Sequence, residues 1–175
     1  MYEDITRVAL DVEDTLAAVN HKFIENREGV DFEDMDNYDF EGVPVTRGEF
    51  LEETHRLWKD SWYEIPPTED DIGELVGRMY EMEGIDIDIV TARHGCDEEI
   101  KRWLEKHEVP YSDFVVSSEK HKLDYDVYID DKPDMAGKAN FLFLYPRPWN
   151  RDIAEGSGVK RIESLGDVVD SIDEF

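Results

Sequence analysis

The 175-residue chain carries 45 Asp plus Glu against 19 Lys plus Arg, a formal charge of −26. That excess argues against direct binding to duplex nucleic acid, which needs clustered cations on phosphate, and it creates a self-repulsion that only salt can screen. Four Trp, eight Tyr and eight Phe within a 40% apolar composition are enough for a core, while no stretch reaches the ~20 apolar residues of a membrane span.

The acidic residues are spread along the chain rather than gathered into a tail. This favours adaptation to concentrated salt over mimicry of nucleic acid or docking on a basic partner. The opening MYEDITRV lacks the basic-then-apolar layout of a signal peptide. Cys96 stands alone, so neither an internal disulfide nor a Cys-based zinc site is expected. The expectation is a halophilic, cytoplasmic protein of one domain with an insert.

In chain order, residues 5–10 read as a short buried strand that runs into Asp11, Val12, Glu13, Asp14 and Thr15. A helix is expected over Thr15–Asn26, with Leu16, Val19, Phe23 and Ile24 near helical spacing. Residues 28–46 are polar, aromatic and punctuated by Gly and Pro, without a period. Thr46–Tyr63 reads as a helix with Phe50, Leu51, Thr54, Leu57, Trp58 and Ser61 along one side, broken by Pro66-Pro67. Thr68 in T-E-D-D looks like the cap of a second helix running to about Glu83.

From Gly84 strands and helices alternate. IDIDIVTA (85–92) is a strand, Asp97–His107 an amphipathic helix, FVV (114–116) and DVYID (126–130) are short strands, and NFLFLY (140–145) is a buried one. A last edge strand is expected at Val159–Ile162 and a helix from Ser164. The rhythm predicts an α/β fold: a Rossmann-like parallel sheet with helices on both faces. Residues 17–80 interrupt it as a small helical cap inserted after the first strand, leaving 1–16 and 81–175 as the core.

Ligands of an open parallel sheet gather at the carboxyl ends of the strands. Those ends are Asp11–Thr15, then Thr91 and Arg93, then Ser117, Ser118 and Lys120, then Asp130 and Asp131. If they converge, Asp11 and Asp130 offer the hard oxygen ligands that suit Mg²⁺. Thr91 and Lys120 supply a hydroxyl and a fixed positive charge for phosphoryl oxygens. Asp11 can then serve as a nucleophile, with Glu13 as the nearby acid and base.

In this order, DxxDT-L, IVTAR, a lysine and YIDDKP, the chain resembles the haloacid dehalogenase-like hydrolase superfamily over residues 5 to about 150. The helical insert, W-L-E-K-H, IDDKP and PRPWN (146–150) resemble its 5′(3′)-deoxyribonucleotidase-like branch. The resemblance implies a Mg²⁺-dependent phosphatase. Asp11 is then nucleophile and metal ligand, and Glu13 takes the place of the acid/base aspartate, whose backbone carbonyl also binds metal. Thr91 is the phosphate-binding hydroxyl, Lys120 the charge-stabilising lysine with Lys122 as its rival, and Asp130 a metal ligand with Asp131 behind it.

Glu13 departs from the pattern: it keeps the acid but moves its carboxyl by roughly 1 Å, a displacement that can cost ~100-fold in rate. Asp14 is a stand-in acid whose side chain is expected to point away from the pocket. Each group also has a plain reading: solvated acidic surface for 11–14, a cap hydroxyl for Thr91, surface lysines at 120 and 122, and an Asx turn for Asp130-Asp131. Arg93 reads either as a substrate ligand or as the partner of a carboxylate. Trp58, Trp62 and Tyr63 read as packing or as a nucleobase platform, and Trp149-Asn150 as packing or as the pocket mouth.

The sequence therefore points to hydrolysis of a small phosphomonoester, a nucleoside monophosphate ahead of a sugar phosphate. The alternatives are a phosphatase-fold protein impaired by Glu13 and kept for binding or regulation, and an acidic partner-binding module. A small phosphorylated substrate is the expected partner, with a homodimer left open.

Overall fold

Val8 and Leu10 of strand β1 (Thr6–Leu10) face one side of the sheet and Ala9 the other, and all three are buried because β1 lies at its centre. The computed structural model describes residues 5–25, 27–35 and 45–172, so part of the stretch expected at 28–46 lies outside the described residues. β1 pairs in parallel with β2 (Ile85–Thr91) and with β4 (Val127–Asp130). Outside these lie β3 (Phe114–Val116) on one edge, then β5 (Leu142–Leu144) and β6 (Val159–Arg161) on the other. The order β3-β2-β1-β4-β5-β6, parallel throughout, is the Rossmann-like α/β sheet expected from the alternation.

The two faces are covered differently. Val8, Leu10, Ile87, Ile89, Val127, Ile129 and Phe143 form one large cluster with the helices α3 (Ile72–Tyr80), α4 (Asp97–Lys106) and α5 (Leu165–Val169). On the opposite face Ala9, Val90, Tyr128, Leu142 and Leu144 pack with Tyr125 and Met135 from short 3-10 turns and loops. This explains the polar start of IDIDIV. Asp86 and Asp88 lie on the thinly covered face, where the buried Asp88 accepts a 2.7 Å hydrogen bond from Tyr125 and lies 3.6 Å from Arg7.

Between β1 and α3 lie α1 (Val19–Ile24) and α2 (Arg47–Ser61). Thr46 and Glu49 close a reciprocal capping box at the start of α2. Helix α1 begins later than Thr15 because the residues before it form a tight loop. Leu16 and Ala17 both donate to the Val12 carbonyl, and Asp14 adopts a left-handed φ of 61°. Thr68 does not cap a helix. Its hydroxyl donates to Thr15 O at 2.9 Å and its amide to Leu16 O at 2.8 Å, so α3 starts four residues further on. A tertiary acceptor outcompeted the local capping pattern. Although α3 falls within the span expected as an insert, Ile72, Leu75, Val76 and Met79 belong to the apolar cluster of the sheet. Among the described residues no helix is long and apolar enough to cross a membrane.

Candidate active site

The sheet reverses direction of winding between β1 and β4, and the backbone pairing continues past the end of β1: Asp11 N donates to Ile129 O at 3.0 Å. Asp11 and Asp130 thereby leave neighbouring strands side by side, and Asp131 follows from the loop. Carboxylate oxygens of Asp11, Asp130 and Asp131 lie within 4.8 Å of one another, all buried. Lys120, on a 3-10 turn after β3, ion-pairs with Asp11 and lies 2.8 Å from Asp130. Lys122 points to the surface with a 62% exposed side chain paired to Glu119, so the structure brings Lys120 rather than Lys122 to the carboxylates.

Thr15 donates toward Asp11 and Asp131, each at 3.2 Å. Asp131 is held further by the Trp149 indole, which donates to Oδ2 at 2.8 Å, and by Asn150, which donates to its carbonyl at 2.8 Å. Trp149 and Asn150 are therefore buried scaffolding of the carboxylate loop. Arg147 donates to Asp14 O at 2.7 Å and lies over the Phe32 and Tyr145 rings, pinning the first loop from the PRPWN segment.

Burial dominates the electrostatics. It raises the Asp130 carboxyl to about 6, with Asp11 adding to the rise and Lys120 opposing it. Asp131 is pushed well up by burial and by the charges of Asp11, Asp130 and Asp14. Burial alone would lower Lys120, but Asp11 and Asp130 outweigh it and hold the ammonium above the usual lysine range. Three buried carboxylates thus face one lysine. A donor set of hard oxygens with residual negative charge fits a divalent cation.

Thr91 is buried at the end of β2 and accepts from the Arg93 amide at 3.1 Å. A cavity of about 90 Å³ is lined by Asp11, Glu13, Asp14, Thr91, Lys120 and Asp130, with Asp131, Lys132, Ala92, Asn20 and the start of α2 (Arg47, Phe50, Leu51) completing it. Asp14 lines this cavity, contrary to the expectation that it points away. Its left-handed backbone turns the side chain inward, where it accepts from Asn20 N at 3.0 Å. Burial raises it to about 7 against the opposing charge of Arg147.

Glu13 is held from behind. Arg93 donates to its two oxygens at 2.9 and 3.1 Å, and the Trp58 indole donates to Oε1 at 2.7 Å. Arg93 also donates to Thr54 Oγ1 at 3.0 Å. Of the two readings open for Arg93, the recorded bonds are those of a carboxylate partner. Trp58 is fully buried and has no face free for a base, while Trp62 and the half-exposed Tyr63 pack edge to face.

The sequence reading underweighted Asp131, although YIDDKP places two carboxylates at one strand end. It also missed the link from Thr54 and Trp58 to Glu13, whose signal was their spacing of four on one face of α2. Nothing local marked Asn20 or Arg47 as cavity residues.

A family model described as "5′ nucleotidase, deoxy (Pyrimidine), cytosolic type C protein" matches residues 4–173. The chain belongs to this nucleotidase family. A protein of Chlorobaculum tepidum, provisionally described as a 5′(3′)-deoxyribonucleotidase, is 31% identical over 109 residues, covering 56% of this chain and 52% of that protein. The chain thus aligns with about half the length of that relative. A solved structure from Burkholderia xenovorans LB400, provisionally described as a haloacid dehalogenase-like hydrolase, superposes with a TM-score of 0.55 at 16% identity, covering 97% of this nucleotidase-family chain and 98% of that one. That likeness carries the fold.

Proposed function

We propose that the protein is a phosphatase of small phosphomonoesters, with a nucleoside monophosphate as the leading substrate and attack by Asp11 as the chemical step. The observation that carries this reading is the buried set of Asp11, Asp130 and Asp131 against Lys120, at the switch point of a sheet whose chain matches a nucleotidase family.

In this reading an Asp11 oxygen attacks phosphorus, and the bond to the leaving oxygen breaks as Glu13 gives that oxygen a proton. Glu13 then takes a proton from water, whose oxygen displaces Asp11 and frees inorganic phosphate. Thr91 and Lys120 bind the non-bridging oxygens, and burial of the cavity strengthens both contacts. Asp11, Asp130 and the Glu13 carbonyl would hold Mg²⁺, with Asp131 beside them. When bound, Mg²⁺ would neutralise charge on the phosphoryl group. The cavity is large enough for a phosphoryl group but not for a nucleoside, so the remainder of the substrate would lie toward Arg47, Phe50 and Leu51 on α2. Helices α1 and α2 would then act as a cap over it.

The test is phosphate release from p-nitrophenyl phosphate and a panel of nucleoside monophosphates in molar KCl with Mg²⁺. Wild type is expected to turn over, Asp11→Asn and chelated wild type to fall at least ~1000-fold. Folded wild type without activity on any of these esters would sink the reading.

A further inference from the structure

Glu13 is the acid of the proposed mechanism, yet it is one methylene longer than the residue its motif leads one to expect. The structure shows where that length goes. The carboxylate, on the cavity wall, is met from behind by Arg93, on the loop after β2, and by Trp58, on helix α2 of the insert. Both partners are enclosed: the Arg93 side chain is 10% exposed and Trp58 is fully buried. Glu13 lines the cavity, whereas Arg93, Trp58 and Thr54 do not. The three therefore stand behind the acid rather than on the cavity wall.

We infer that Arg93 and Trp58 are positioning residues that fix the Glu13 carboxylate, and that the length of glutamate is matched to them. The inference rests on the phosphatase reading and deepens it. Helix α2 supplies the indole directly and, through Thr54, the acceptor that steadies Arg93. Seating of the insert and orientation of the acid are thus one event. An aspartate at position 13 would stop roughly 1 Å short, enough to spoil a proton transfer, and would leave a buried indole N–H and a guanidinium without their acceptor. Glutamate here is a fitted part, so restoring the shorter acid lowers activity.

The test uses leaving groups. p-Nitrophenolate departs without a proton, whereas a nucleoside alkoxide needs one. The first turnover of p-nitrophenyl phosphate therefore reports attack by Asp11 alone, and that of a nucleoside monophosphate reports attack plus proton delivery. Wild type, Glu13→Asp, Trp58→Phe and Thr54→Val are compared by rapid quench, with Asp11→Asn as the blank. Trp58→Phe keeps the ring and removes the N–H; Thr54→Val keeps the shape and removes the oxygen that holds Arg93. Both are expected to keep the p-nitrophenyl burst within ~2-fold while losing ~10-fold or more on the nucleotide, with KM little changed. Glu13→Asp is expected to lose at least as much on the nucleotide.

A Glu13→Asp enzyme as fast as wild type or faster overturns the inference. So does an equal loss on both substrates in Trp58→Phe and Thr54→Val, which is the signature of a merely structural contact, or no loss on either. Should one of the two insert variants fail to fold, the other decides. Folded wild type with no Asp11-dependent turnover of either ester removes the phosphatase reading and this inference with it. A normal burst with unselective variants removes the inference alone.

Discussion

Asp14 combines a left-handed backbone, burial and a place on the cavity wall. A carboxyl whose folded pKa is raised to about 7 from an ordinary 3.8 binds its proton more tightly in the folded chain. Its stabilising protonation is thus lost as pH rises from about 4 to about 7, and Asp130 acts in the same direction up to about 6. With chelator present, stability to urea is expected to fall over this window, the reverse of ordinary acid denaturation. Asn tolerates a left-handed φ and carries no charge. Asp14→Asn should therefore stabilise the chain at pH 7.5 by on the order of 1–3 kcal/mol and flatten the slope. An unchanged slope would place the ionisation elsewhere. At Lys120 the balance runs the other way: Lys120→Met leaves Asp11 and Asp130 facing one another without their cation, at a cost of about 3–5 kcal/mol. Saturating Mg²⁺ should restore more of the melting temperature in this variant than it adds to wild type. Calorimetry with and without the ion checks it.

Among the elements, α3 shows how far packing overrides propensity. Gly73 costs helix stability by itself, yet a Cβ there would stand 2.3 Å from the His107 carbonyl, at the end of α4. Gly73→Ala should gain the ~1 kcal/mol of helix propensity and lose more to the clash, for a net destabilisation of about 1–3 kcal/mol. Urea denaturation reads it; a neutral or stabilised variant would mean the helices part easily. The same principle separates two threonines that each precede an acidic residue three places on. Thr46 caps α2 with Glu49: its hydroxyl accepts from the Glu49 amide and donates to the Glu49 carboxylate, so the bonds stay local. Thr68 instead gives its hydroxyl to Thr15, and Glu69 accepts from Tyr145 and from the Leu165 amide. The start of the helix was lost to partners that local sequence cannot show.

Over the whole molecule the charge of −26 sets the solution behaviour. If the acidic surface is an adaptation to salt, screening lengths near 3 Å should quench its repulsion. The melting temperature in 3 M KCl is then expected to exceed that in 0.1 M KCl by on the order of 5–10 °C, corresponding to about 2–3 kcal/mol. A melting temperature indifferent to KCl would turn attention to a basic partner. Much of this molecule was legible without coordinates. Periodic apolar residues determined the strands and most helices, because burial of a sheet face or a helix stripe repeats at a fixed interval. The residues finishing those strands named Asp11, Thr91, Lys120 and Asp130, because parallel topology brings strand ends to one edge. What only the tertiary structure decided was the company each side chain keeps. It drew Lys120 rather than Lys122 to the carboxylates, turned Asp14 inward and tied Glu13 to Arg93 and Trp58. Position 13 lies 80 residues from Arg93 and 45 from Trp58, and such separations close through packing, which leaves no period in the sequence.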